Sequence, residues 1–467
     1  MTIGSTGTGE ASLARALARA ALATGPGVFD AEVIAKAKIC LLDFLSCTFE
    51  ARNHPWSRQA IGIAREVGNG ATVIGTHTLA SPGDAAFANA TMGHGLVRED
   101  MHAASICHHG VVIWPTLLAL SERTRLSGAT LVAAAIIGYE TGAQIGRALF
   151  TADLARLYRP TGLVAPLGAA LAGSYALGLT EDAATSAIAI AANTSSGLNE
   201  WPRGGGSEMY FHPGFAARNA IAAVELAEAG ALASQTILEG EAGLFAAFRR
   251  QPAPCDIRLF AGPQPEIMAV YNKPAPACNF AQTAAQTALR LARQLRTSED
   301  IASVAIRVPE AAARYPGCDS KGPFHNALQA KMSIPFSVAA VLARGTLEED
   351  NYARVDDPGI LRLVEQTDLQ SAPDLTAAFP ANQGAEVTIG LRDGKTIHHR
   401  LDNVIAATPE EIRAAFGGLR PMSSATNMQG TWRNWWTIAH RFRTAVSSPS
   451  GADLNRPDNE RGPCDDR

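Results

Sequence analysis

Aromatic residues make up only 6% of this 467-residue chain, so aliphatic side chains and alanine must build most of its core. No apolar run reaches the roughly 18 residues needed to span a bilayer. The nearest, LVAAAIIGY at 131–139, is too short. Basic residues do not outnumber acidic ones, and the net charge of −4 gives no reason to expect nucleic acid or an anionic membrane as partner. The opening stretch, MTIGSTGTGEASLARALARAALATG, lacks the uninterrupted apolar centre of a secretory signal. Its arginines are weakly reminiscent of a transit peptide, but Glu10 and the helical pattern after it favour an ordinary first helix. Seven cysteines, at 40, 47, 107, 255, 278, 318 and 464, form no CxxC pair and are odd in number. Reduced thiols in a cytoplasmic protein fit that pattern better than a disulfide framework.

What is present is a globular composition, 47% hydrophobic and 18% charged, with alanine-rich runs that favour helix. The length leads us to expect two domains. Helical spacing is expected over 31–50, 110–125, 127–150, 161–178, 180–196 and 213–231. Ser81-Pro82-Gly83-Asp84 sets an N-cap and a first-turn proline for another helix, ending near Gly93 or Gly95. The character changes near 255. PAPCDIRLF at 252–260, ASVAIRV at 302–308 and AEVTIGL at 385–391 alternate like strands. Arg392-Asp393-Gly394-Lys395 is a hairpin turn into TIHHRL at 396–401. Helices at 279–296 and 325–343 are expected between these strands. Thr408-Pro409-Glu410-Glu411 is a capping box that opens a return to helix. Residues 446–467 are polar and rich in Pro and Gly, and are expected to be disordered.

Four segments carry chemistry. HGLVREDMHAASICHHG at 94–110 packs four of the 11 histidines beside Arg98, Glu99 and Asp100. His108 and His109 stand at a helix N-terminus, where the dipole disfavours imidazolium and a neutral ring is a capable base. The histidine separations match no standard metal spacing, so no metal is expected; a solvated polar loop is the plainer alternative. EWPRGGGSEMYFHPG at 200–214 offers backbone N–H groups and Arg203 to a carboxylate, or is simply a flexible loop. YRPTG at 158–162 sets Arg159 just outside a helix, as an anion holder or a surface ion pair. YNKPAPACNFAQ at 271–282 sets Lys273 in a turn at the expected domain boundary, where small-molecule sites tend to lie.

In this order the segments resemble the MmgE/PrpD family, whose members include 2-methylcitrate dehydratases, cis-aconitate decarboxylases and iminodisuccinate epimerases. The matching stretches are GHG…D-x-H…H-x-G at 93–110, PTG at 160–162, FHPGFAARNA at 211–220, NKPAPAC at 272–278 and AKMSIPFSVAAVLARG at 330–345. The resemblance covers roughly 10–445. It implies a mainly α fold: a large all-helical domain from both chain ends, 1–255 and 406–445, plus a smaller α+β lid domain, 256–405. It also implies a homodimer that uses no cofactor. Where decarboxylase-like members carry a leading aspartate and a threonine, this chain has Val97 and Met101. A site histidine is replaced by Arg159, a lysine by Met209 and a tyrosine by Phe336, while His108 and Lys273 are retained.

Losing that many polar groups together removes much transition-state stabilisation for the same reaction. The resemblance therefore implies a divergent member with altered substrate or reaction. The expected activity is a cofactor-independent hydro-lyase that abstracts a proton beside a carboxylate of a small polycarboxylate or related acid. Epimerisation by the same proton abstraction is the alternative, with decarboxylation and a non-catalytic scaffold behind it. Expected catalytic groups are His108, Lys273, His102, Asp100 and Glu99. Expected substrate-binding groups are Arg159, Arg203, Tyr210, His212 and Arg98.

Overall fold

Helices in this chain begin where capping chemistry places them. The computed structural model describes residues 11–124, 126–254 and 256–418. Ser12 caps α1 (Leu13–Leu22) and Asp30 caps α2 (Ala31–Ala51), each side chain accepting from a backbone N–H three residues on. Helix α3 (Pro55–Ile63) starts on a proline and leads into a small antiparallel pair, β1 (Glu66–Thr72) and β2 (Leu79–Ala80). Ser81 caps α4 (Pro82–Gly93) with Pro82 at its start, as its sequence predicts. Then follow α5 (Gly110–Thr124), α6 (Gly128–Leu149), α7 (Ala152–Leu157), α8 (Pro160–Ala176), α9 (Glu181–Asn193), α10 (Trp201–Gly204), α11 (His212–Glu228) and α12 (Leu244–Arg249).

Helix α6 is buried on nearly every side and lies against α8. Small residues let the two backbones touch: a Cβ on Gly168 would stand 2.4 Å from the Gly138 carbonyl oxygen. Helix α11 packs on α4, α8 and α9, completing a helical layer around these elements.

Beyond 260 a mixed sheet appears. Its order is β6 (Thr367–Ser371), β5 (Ile301–Val308), β7 (Ala385–Leu391), β8 (Thr396–Leu401). Strand β5 runs parallel to β6 and antiparallel to β7, and Gly394 at φ 86° closes the β7–β8 hairpin. Val304, Ile306, Val308, Val387 and Ile389 are buried within a core that includes Ala284, Ala288 and Leu291 of α13 (Gln282–Ala292). The other helices of this part are α14 (Glu310–Arg314), α15 (Ala327–Met332), α16 (Ile334–Arg344), α17 (Pro358–Glu365) and α18 (Pro373–Ala378). The fold is thus mainly α with a smaller α+β part. Among the described residues no helix is long and apolar enough to cross a membrane.

Two expectations need correction. Residues 252–260 form no strand among those described. The alternation is real, since Ile257 and Leu259 are buried, but the backbone finds no ladder; the Phe260 N–H donates to Glu140 at 2.7 Å. The single helix over 325–343 is two, α15 and α16, broken at Ser333. Pro335 cannot donate to the Lys331 carbonyl and its ring would strike it. Ser333 caps the new helix, and the freed Lys331 carbonyl accepts from Cys278 N at 2.9 Å. The Thr408 capping box forms reciprocally with Glu411 and opens α19 (Pro409–Gly418), which packs on α2. The continuation of that helical return to 445 and the tail at 446–467 lie outside the described residues.

Candidate active site

The loop from His94 to His109 joins α4 to α5 and is folded under strain. Val97 and Ile106, both β-branched, sit at φ 59° and 51°. A left-handed β-branched residue costs of order 1–3 kcal/mol and persists only where its surroundings enforce it. Here the Val97 carbonyl is turned to accept from the Lys273 ammonium, which also donates to Ala277 O at 3.2 Å. A two-residue antiparallel ribbon, β3 (Met101–His102) on β4 (Val270–Tyr271), brings the Lys273 turn to this loop.

Four site groups interlock through their hydrogen-bond roles. An arginine N–H can only donate, so His94 Nε2, 3.1 Å from Arg159, must accept. The proton of His94 is then on Nδ1, which donates to Glu99 Oε1 at 2.7 Å. His108 Nδ1 faces two acceptors, the Asp100 carbonyl at 2.8 Å and Glu99 Oε1 at 3.0 Å. It must carry the proton, which leaves the Nε2 lone pair of His108 without a partner among the described residues. Burial pushes both histidines toward the neutral form, and for His108 the nearby Lys273 charge adds to it. Burial alone would raise Glu99, but the His94 ring, Lys273 and His108 hold it below the usual carboxylate range. With both rings neutral, Lys273 is the lasting positive partner of that carboxylate. Burial lowers Lys273 in turn, and Glu99 opposes the shift.

His108 and Arg159 line one small cavity with Tyr315, Asn279 and Cys278. The rest of its wall is Val97, Met101, Ile106, Phe280 and Met332. Arg159, 6% exposed, stands just before α8 and donates to Tyr315 Oη at 3.3 Å, while its Nε has no partner. Cys278 lies 3.7 Å from Cys318, whose hydrogen bond, outweighing burial, draws the Cys278 thiol down to about 7. The cavity is small, with room for about one water.

The other predicted groups take different places. Asp100 is buried with its side chain on Tyr139 Oη and Gly110 N, and burial raises it to about 6. It shapes the His108 loop from behind. His102 accepts from Ser105 N at 3.2 Å and donates from Nε2 to Glu266 at 2.9 Å, so it points away from the cavity. Arg98 pairs with Glu50 at 2.8 Å, on the outer side of the loop. Tyr210 and His212 are at the back of the cluster, each with an unpartnered polar atom. The Tyr210 ring stacks on Trp56 at 3.9 Å, and burial lowers His212 to about 3. Arg203 is exposed on α10 and joins none of these groups. The glycine run after it forms a left-handed helix end at Gly205 (φ 74°). Among the described residues, no group of three or more His, Cys, Asp or Glu is disposed to hold a metal ion.

Three participants were not foreseen. His94 reads in sequence as a helix end, and it does cap α4, yet its ring is central. Cys278 ends the NKPAPAC stretch, whose sequence marks no role for it. Tyr315, in AARYPG, carries no sequence signal.

The model of the MmgE/PrpD N-terminal domain matches residues 15–255, and that of the MmgE/PrpD C-terminal domain matches 275–412. Over 223 residues the chain is 32% identical to a cis-aconitate decarboxylase of Aspergillus terreus, covering 46% of this chain and 45% of that protein. The match therefore spans a little under half the length of that relative. A human cis-aconitate decarboxylase is 27% identical over 69% of this chain and 68% of its own. A 2-methylcitrate dehydratase of Cupriavidus necator is 26% identical over 80% of each. Both family domains match in order, the first alone covering more than half of the chain, and the chain belongs to the MmgE/PrpD family.

Proposed function

We propose that this chain is a lyase, specifically a hydro-lyase, that removes a proton beside a carboxylate of a small acid. The observation that carries the proposal is the lone pair of His108 Nε2, without a partner among the described residues, on a ring that lines a small cavity with Arg159. A carbon acid of this kind is weak, so it needs a positioned base and a cation where enediolate charge develops. His108 takes the proton. Arg159, on the wall of the same cavity, holds the carboxylate through its guanidinium. Tyr315 accepts from Arg159 and so keeps its own proton free to donate to a departing hydroxide. Lys273 and Glu99 fix the loop and the His108 ring, and both act as positioning residues. The relatives named as dehydratase and decarboxylase support a lyase for this chain.

The helical part, 1–255 with 406–445, and the α+β part, 256–405, are proposed as two domains that close on this cavity. The working form is proposed to be a cytoplasmic homodimer. The test is incubation of the purified chain with candidate acids in heavy water. Deuterium uptake together with absorbance of a conjugated acid is expected; uptake without that absorbance would make the enzyme an epimerase. A general base is worth about 10²–10⁴-fold. His108→Gln should slow exchange by at least 10²-fold, and an unchanged rate would remove His108 from the role.

A further inference from the structure

Two thiols meet at the wall of the cavity, and the proposed proton transfer leaves both idle. Cys278 and Cys318 are 40 residues apart in the chain, yet their sulfurs stand 3.7 Å apart and both side chains are buried. The geometry points to an oxidation site: Cys278 reduces hydrogen peroxide admitted to the cavity, and Cys318 closes on it to form a reversible disulfide. This stands apart from the lyase reading, which uses neither thiol.

The backbone holds the pair in place. The Cys278 N–H donates to the Lys331 carbonyl at 2.9 Å, and the Cys318 carbonyl accepts from the Ile334 N–H at 2.9 Å. Both cysteines are thus anchored to residues that flank the break between α15 and α16 at Ser333. A disulfide needs its sulfurs about 2.0 Å apart, so an approach of roughly 1.7 Å is required, within reach of rotating the two side chains. Access is asymmetric. Cys278 lines the cavity with His108 and Arg159, while Cys318 is fully buried against it. The Cys318 hydrogen bond, the Phe280 N–H and the Lys273 and Arg159 charges favour the Cys278 thiolate against burial. The thiolate is the form that attacks peroxide. Cys40, Cys47 and Cys107 are buried too, and there burial pushes each thiol up.

The Cys278 sulfur gives an electron pair to one peroxide oxygen. The S–O bond forms, the O–O bond breaks, and the other oxygen leaves as hydroxide, which takes the proton shed by the thiol and becomes water. The Cys318 sulfur then attacks the sulfenic sulfur. Its proton leaves with the departing hydroxide as a second water, and the S–S bond forms. Two thiols have lost two electrons and one hydrogen peroxide has gained them. The new bond ties the turn that carries Lys273 to the segment that carries Tyr315, fastening two parts of the cavity wall together.

The test treats the reduced full chain with hydrogen peroxide at pH 7.5 and maps its thiols by mass spectrometry of peptides digested without reductant. The expected product is a linked Cys278–Cys318 peptide that dithiothreitol removes, with Cys40, Cys47 and Cys107 oxidised at least about tenfold more slowly. Cumene hydroperoxide, too large for a cavity with room for about one water, should form the link at least about tenfold more slowly than hydrogen peroxide. In Cys318→Ser the sulfenic acid at Cys278 should persist and be captured by dimedone; the linked peptide is read on wild type, so the outcome does not depend on that variant folding. Cys278 and Cys318 remaining reduced, or either joining a different cysteine, would overturn the pairing. Equal rates with the two peroxides would overturn the route through the cavity.

Discussion

Replacing Asp100 with Asn isolates the cost of the carboxylate buried beneath His108. Burial raises Asp100 from 3.8 to about 6 despite the hydrogen bond from Tyr139. A shift of roughly two pKa units at about 1.4 kcal/mol each gives about 3 kcal/mol. The sign follows from which state holds the proton more tightly. The folded state does, so the contribution to stability is full below pH 4 and is lost as pH rises through about 6. Asn does not titrate and lacks this loss. It still accepts from Gly110 N, and its amide donates to the Tyr139 oxygen, so the change in hydrogen bonding adds a pH-independent offset of about 1 kcal/mol. Glu99 shifts the opposite way, but it is present in both proteins and cancels. Urea unfolding of wild type and Asp100→Asn at pH 4, 5, 6 and 7, followed by tryptophan fluorescence, measures the difference. Wild type should lose about 2 kcal/mol relative to the variant between pH 4 and 7. Two curves that stay parallel within about 0.5 kcal/mol would refute the buried-carboxylate argument.

Further predictions concern the neck of the site and its base. A Cβ on Gly162 would stand 1.9 Å from the Ser196 carbonyl oxygen, beside the strand of backbone that bonds Arg159 N to Gly197 O. Gly162→Ala should lower stability by about 1–3 kcal/mol and raise KM for the acid; a variant with wild-type melting temperature and kinetics would contradict that packing. His108 is held neutral by burial and by Lys273, so kcat/KM should stay level as pH falls from 8 to 6.5. An acid limb centred at 6.5 or above would show an unperturbed histidine instead.

Much of the fold was legible because its determinants are local. The Ser81–Pro82 start, the Thr408–Glu411 box and the Asp393–Gly394 turn each fix backbone within four residues, and each forms as read. The strand expected at 252–260 failed because alternation reports which faces are buried, not whether a neighbouring edge is present. Strand β6 was overlooked for the converse reason. Thr367–Ser371 has little apolar pattern and is a strand because β5 offers it a ladder. In the site, sequence drew attention to the right loop but ranked its histidines by helix position. The role of His94 depends on Arg159, 65 residues away, and Tyr315 reaches Arg159 across 156. Arg203 looked like a clamp because three glycines follow it, yet they only end a four-residue helix.

The ribbon of Met101–His102 on Val270–Tyr271 has a mechanical consequence. It fastens the His108 loop and the Lys273 turn into one rigid part, reinforced by the ammonium on the Val97 carbonyl. These two cannot separate to admit an acid without breaking backbone pairing. The facing wall of the cavity is drawn from other segments: Tyr315 follows α14 and Met332 ends α15, while Phe280 continues the Lys273 turn. The Cys278 N–H to Lys331 carbonyl bond, made possible by Pro335, ties that turn to the end of α15, so both walls of the cavity are held by backbone bonds.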